Sequence, residues 1–302
     1  MTYPLTSFFV NVDVTNPGQF FACCGLLELA HRLWPGAEGW FDHSKSMFAI
    51  SANGISVTVD YLNHALANCD VSGLSEEQCR EREVLEAENR RLRKQGQKLP
   101  NEKEERRKEL GTLARQGAIR LGKPFDIVLD WWQTDDKDIT TPKTWAGRQE
   151  LHRIARAAQD ALSDISEPRE MFDYGCVLRE PREYRKEKSD GQEPVEPFYF
   201  DARRFAHPLD IGFSLDKQDA ETIAYPAVEL LGLIGLQRFR PARAPNKWWF
   251  EYSAWLAPLA APVAAAVVCG SVPAGYRYRF QLLFRDDKKR YKAFDYATRI
   301  GG

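Results

Sequence analysis

The sequence predicts an α+β fold, with mixed or antiparallel sheets, interspersed helices and a charged helical-hairpin insertion. Three observations lead there. Strand-type alternation occurs at both ends of the chain, apolar stripes of helical period lie between, and one stretch changes abruptly to Glu, Arg, Lys, Gln and Leu. At 302 residues the chain is long enough to bury a substantial core.

The first element is a strand, because Phe8, Val10, Val12 and Val14 alternate with Phe9, Asn11 and Asp13. "NPGQFFACCGLLELAHRLW" then predicts a helix. Asn16 can cap it, Pro17 suits its first position and Gln19 can complete a capping box. Phe20, Cys24, Leu27, His31 and Trp34 form one stripe that ends at Pro35-Gly36. Cys23 and Cys24 therefore read as core thiols. Neither this pair nor the gap from Cys69 to Cys79 has zinc-ligand spacing, so no metal is expected. Residues 47–52 and 55–59 flank Asn53-Gly54 and predict a hairpin, followed by a short helix over 62–69.

Residues 72–117 read as an insertion between body segments 1–71 and 118–302, its two charged arms predicted as a solvated helical hairpin. Leu85, Leu92, Leu110 and Leu113 are its sparse apolar marks, and its charges nearly cancel, so electrostatics do not assign it a docking role. Strand character returns over 125–132, and an alanine-rich helix is expected over 144–162. Residues 180–197 form a polar loop, with strands over 198–200 and 209–215. The C-terminal part, 222–302, predicts an apolar helix over 225–236, a basic loop, an alanine-rich helix and a final β-hairpin. Residues 253–276 carry no formal charge, yet Pro258, Pro262 and Pro273 interrupt them, so a buried helix is expected rather than a membrane span.

A net charge of −1 excludes global attraction to nucleic acid or anionic membrane and requires any such binding to be local. Scattered cysteines without a signal peptide lead to the expectation of free thiols in a reducing cytoplasm. No phosphate loop, dinucleotide fingerprint, nucleophile elbow or HExxH pair is present, so no cofactor is expected. Catalysis has one candidate, "DIVLDWWQTDDKD", in which Asp126, Asp130, Asp135, Asp136 and Asp138 can gather magnesium for phosphodiester cleavage. The ordinary reading is a strand that leads into a polar loop.

Basic and aromatic residues interleave more insistently. "KTWAGRQ" sets Lys143, Trp145, Arg148 and Gln149 at an expected loop-to-helix start, where a helix N-terminus favours phosphate. "DARRF" adds Arg203 and Arg204. "QRFRPARAPNKWWF" adds Arg238, Arg240, Arg243 and Lys247 beside Phe239, Trp248 and Trp249. The terminal hairpin supplies Arg277, Arg279, Lys288, Lys289 and Arg290. Such sets track a phosphate backbone and stack on bases. For Trp248 and Trp249, base wedge and core filling are both open.

Three stretches together carry a resemblance: "NPGQFFACCGLLELAHRLW", "LDWW" followed by "KTWAGRQ", and "PFYFDARRFAHPLDIGFSLD". They resemble a family of CRISPR-associated proteins of type I-U systems, also called I-G, in the position of the large subunit of the crRNA-guided surveillance complex (Cascade). The resemblance implies a non-catalytic subunit that recognises the motif flanking the target, helps open the duplex and helps recruit the helicase-nuclease. The implied partners are crRNA, target double-stranded DNA, the backbone and crRNA-processing subunits and the helicase-nuclease, with no membrane. Guide pairing then reads most of the sequence, and protein contacts hold backbones and a short flanking duplex. The alternatives are a metal-dependent nuclease using the Asp cluster and an RNA-binding scaffold subunit.

Overall fold

Helix α1 (Pro17–Leu33) begins where its capping signal stands, the Asn16 side chain accepting the Gly18 N–H at 3.1 Å. The computed structural model describes residues 5–53, 57–134, 141–145, 149–180, 193–203, 221–246, 248–284 and 292–301. Gln19 reaches further back than a capping box requires. Its Oε1 accepts the Asp13 N–H at 2.7 Å and so ties the helix to the chain leaving β1 (Phe8–Asn11).

Helix α6 (Pro226–Arg238) is buried from Pro226 to Leu236, and α1 from Pro17 to Ala30. Helices apolar on every side belong in the centre of a fold, and these two pack on each other. Glycine sets how closely. A Cβ on Gly25 would stand 2.1 Å from the Leu231 carbonyl oxygen, and one on Gly235 2.1 Å from that of Phe21.

Sheets surround this pair. β1, β2 (Glu38–Asp42), β3 (Met47–Ser51) and β9 (Leu259–Ala260) form one in the order β1-β3-β2-β9. β7 (Ala242–Arg243), β8 (Trp249–Ala254), β10 (Tyr276–Phe284) and β11 (Lys292–Phe294) form a second in the order β11-β10-β8-β7, and β12 (Thr298–Ile300) also pairs with β10. The third joins β4 (Val71–Ser72), β5 (Ile119–Leu121) and β6 (Ile127–Leu129). Every pairing among the named strands is antiparallel, as an α+β fold requires. Phe20 and Phe21 of α1 pack between the first two sheets, Phe20 stacking on Phe41 and on Tyr252. The Trp255 Nε1–H donates to the Gly39 carbonyl at 2.6 Å and locks one sheet to the other.

Between β4 and β5 rise α3 (Glu76–Lys94) and α4 (Asn101–Gln116). Beyond the expected pairs along each helix, ion pairs cross from one to the other: Glu88 to Lys103, Glu81 to Arg106 and Glu86 to Arg107. Leu85 and Leu110 are buried at their contact, whereas Leu113 is exposed. Among the described residues no helix is long and apolar enough to cross a membrane. Of the uncharged stretch, residues 261–268 form helix α7 (Ala261–Val268).

Four expectations are corrected. The partner of β3 is β2, not residues 55–59. Thr58 caps helix α2 (Val59–Asn68) by accepting the Tyr61 N–H, and Val59, Leu62 and Leu66 bury themselves at helical spacing. The turn instead lies after Asp42, whose carboxylate accepts the Ser44 N–H and hydroxyl. Trp131 and Trp132 lie in a 3-10 turn (Trp131–Thr134) and not in a strand, because Gln237 Oε1 accepts both the Asp130 and Trp131 N–H groups and curls the chain. Helix α5 (Leu151–Leu162) starts seven residues later than expected, with Glu150 as its cap. Residues 198–200 are no strand: Tyr199 has φ +62°, and the segment runs buried across the α1 and α6 ends. The expected strand over 209–215 lies outside the described residues.

The helix contact yields a paired prediction. Gly25→Ala is expected to destabilise the fold by more than the about 1–3 kcal/mol usual for core overpacking, since backbone must move. Gly111→Ala, inside α4 with only the flexible Arg115 tip within reach at 3.5 Å, is expected to stabilise by about 0.5–1 kcal/mol. Urea midpoints of the two variants check both signs.

Candidate nucleic-acid interface

The expected interface residues separate into those locked in the fold and those left outside it. Trp145 is 3% exposed and packs edge-on against Trp131, Trp132 and Phe198, with ring centroids 5.4–5.6 Å apart. It is core, not a stacking platform. Lys143 lies over its ring at 5.3 Å. Gln149 donates to Glu196 at 3.4 Å. The helix N-terminus expected to attract phosphate here belongs to α5, whose N-cap residue Glu150 makes no side-chain cap bond and instead turns its carboxylate to a hydrogen bond from Arg82 and an ion pair with Arg153. Arg148, Arg204 and Lys247 lie outside the described residues, as do Asp135, Asp136 and Asp138.

Arg203 is consumed by a buried polar joint. Its guanidinium binds Asp201 at 2.8 and 3.0 Å and Asp173 at 2.6 Å and lies 3.7 Å from the Tyr225 ring centre. Asp201 in turn accepts from Asn16 Nδ2 at 2.9 Å, and Asn16 Oδ1 accepts the Ala202 N–H. Glu229, on the first turn of α6, accepts the Phe200 and Asp201 N–H groups at 3.2 Å each. Burial lifts the Glu229 carboxyl to about 8 in spite of these bonds. Arg238 is likewise engaged, bonded with Arg32 to the buried Glu28. Burial would raise the Glu28 carboxyl, but the two guanidiniums outweigh it and hold it below the usual carboxylate range.

Asp130, the described centre of the acidic candidate, accepts from Gln237 Nε2 at 2.9 Å while its own N–H donates to Gln237 Oε1. That is a turn lock between β6 and α6. Among the described residues no group of His, Cys, Asp and Glu is arranged to hold a metal ion. Cys23 and Cys24 are fully buried, and burial raises their thiols well above the ordinary value.

What remains outside is one face of the second sheet. On β10, Tyr278, Phe280 and Leu282 point into the core while Arg277, Arg279 and Gln281 point out. On β8, Phe250 and Tyr252 point in, so Trp249 and Glu251 share the outer face. The register sets Gln281 opposite Trp249, Arg279 opposite Glu251 and Arg277 opposite Ser253. Arg277 and Arg279 both bond to Glu251 at 2.6 Å, and the Arg277 side chain is still 60% exposed. Burial pushes the Glu251 carboxyl up, but bonds from Arg279 and Arg277 prevail and keep it ionised. Arg243, on edge strand β7, is exposed, but the register sets it opposite Phe250 and so on the other side of the sheet from Glu251, and neither it nor Arg240 makes an ion pair among the described residues. A cleft of about 610 Å³ borders this face, lined by Glu251, Ser253, Cys269, Gly275 and Arg277.

Of the candidate residues, then, Arg240 and Arg243 lie at the edge of this sheet, and Trp145, Arg203 and Arg238 do not reach it. Trp249 and Gln281 join Arg277 and Arg279 only through the β8–β10 register. The signal available in sequence was the period-two pattern of "YRYRFQLLF", which puts both arginines and the glutamine on one side. Trp248 packs edge-on against Phe284, centroids 4.5 Å apart, which separates its role from that of its neighbour. Compared with known proteins, the chain matches no family model, no curated sequence and no solved structure.

The buried joint yields a pH prediction. With a folded value near 8 against an ordinary value near 4.5, Glu229 binds a proton in the folded state that the unfolded chain releases between those values. Stability is therefore full below about pH 4.5 and falls as pH rises toward 8. Glu229→Gln retains a carbonyl acceptor for the two N–H groups and removes the proton. It is expected to gain on the wild type by about 1.4 kcal/mol per pH unit across that window. Denaturation midpoints of both proteins at pH 5, 6, 7 and 8 measure the slope.

Proposed function

We propose that this chain is a non-catalytic nucleic-acid-binding subunit of a type I CRISPR surveillance complex, contributing to target-DNA recognition in antiviral defence. The observation that carries the binding role is the outer face of the second sheet. There Arg277 and Arg279 share a single carboxylate, Glu251, while Arg240 and Arg243 stand at the edge of the sheet, Arg243 on the Phe250 side, without an ion pair among the described residues. Guanidiniums left in this state bind phosphate, and a nearly neutral protein needs such a local patch to do so. The assignment to a surveillance complex rests on the three sequence stretches. Two of them, around Asn16 and around Asp201, meet in the joint that holds α1 and α6. The bonds between Asp130 and Gln237 favour a structural part for that carboxylate over metal binding.

The test compares guide-loaded complexes assembled with and without this chain for binding to duplex targets that differ only in the flanking motif. Affinity and motif preference are expected to require the chain. Arg243→Ala with Arg277→Ala, both at exposed positions, is expected to weaken binding about ten-fold and to lower the slope of log affinity against log salt by about 2. Unchanged binding in its absence would leave the scaffold reading. Magnesium-dependent cleavage by the isolated chain, lost in Asp135→Ala with Asp136→Ala, would establish the nuclease.

A further inference from the structure

We infer that the outer face of β8 and β10 receives a single-stranded nucleic acid segment, with an unpaired base against Trp249 and its backbone along Arg279 and Arg277. The inference rests on the preceding reading and specifies the ligand of that same face. The face is partly exposed from Trp249 and Gln281 to Arg277, though buried at Ser253, and carries one aromatic side chain in line with the arginines.

Three observations bear on the choice of a single strand over a duplex. An aromatic ring on a sheet gains contact only from a base whose π-face is free, and bases within a duplex are already stacked on one another. Arg277 and Arg279 are two residues apart on one side of a strand, about 7 Å along it. That repeat is close to the separation of successive phosphates along a strand, so the pair can take one phosphate each. The third is Gln281, directly opposite Trp249. Its Nε2 donates to Asp295 at 3.2 Å, which fixes the amide, while Oε1 has no partner among the described residues. An acceptor beside a stacking ring recognises the exocyclic amino group that adenine, cytosine and guanine carry and that thymine and uracil lack.

The experiment uses the full chain and fluorescence anisotropy with a labelled mixed-sequence 12-mer, its duplex and a thymine-only 12-mer, at one salt concentration. The mixed single strand is expected to bind at least ten-fold tighter than the duplex and several-fold tighter than the thymine-only strand. Trp249→Ala is expected to lose about ten-fold of the single-strand affinity, and Trp249→Phe, which keeps a ring and the strand's packing, to recover most of it. Equal or tighter duplex binding that depends on Arg243 and Arg277 but not on Trp249 would overturn the inference and leave the interface standing. Binding to neither probe, or binding indifferent to Arg243→Ala with Arg277→Ala, would overturn both. Should Trp249→Ala not fold, the Phe variant and the thymine-only comparison still decide the outcome.

Discussion

The close approach of α1 and α6 governs the rest of the molecule. Gly25 and Gly235 let the two backbones meet where any side chain would strike a carbonyl oxygen at 2.1 Å. Both helices are apolar on nearly every side, so neither is stable without cover. The sheets supply that cover. Phe20, Phe21, Phe41, Tyr252, Trp255, Phe280 and Phe294 form a shell of edge-on and stacked rings between α1 and the first two sheets. At the helix N-termini the crossing segment around Asp201 binds Asn16 on one side and Glu229 on the other. A buried polar joint of this kind fixes the relative placement of its parts, because any slip would leave desolvated groups without partners.

Buried carboxylates also determine which arginines are left for other work. Glu28 takes Arg32 and Arg238, and Asp201 takes Arg203. A carboxylate removed from water must be compensated on the spot, so each recruits the nearest guanidinium into the fold. Glu251 is different. It lies on a sheet face rather than between helices, holds two arginines at once and leaves Arg277 largely in solvent. The same pairing chemistry therefore ties arginines into the fold at both places, and Arg277 is the one it leaves most exposed, at 60%.

The charged hairpin obeys the same rule at the surface. Its ion pairs cross between α3 and α4, and Arg82 reaches down to Glu150 at the start of α5. Trp132 and Gln133 donate to the Gln116 carbonyl at its base. Exposed ion pairs contribute little each, so its attachment depends on these basal bonds and on the few buried leucines more than on its many charges.

Local signals were sufficient wherever neighbours in sequence are neighbours in space. The Asn16-Pro17 start of α1, the charged arms of the hairpin, the α7 helix and the alternation of β10 were all legible for that reason, and so was the α+β class. Elsewhere a distant residue prevailed. Gln237 turns the Trp131 segment out of a strand. Asp201 and Glu28 engage Arg203 and Arg238 in ion pairs, although Arg238 stays exposed. Trp145 illustrates the general case: a tryptophan between lysine and arginine reads the same whether it faces solvent or core, and only the packing of Trp131, Trp132 and Phe198 around it decides. The sequence by itself determined the elements and their periodic faces, because those depend on contacts a few residues apart. Which basic and aromatic side chains stay accessible was decided only by tertiary structure, because burial and charge pairing join residues separated by most of the chain.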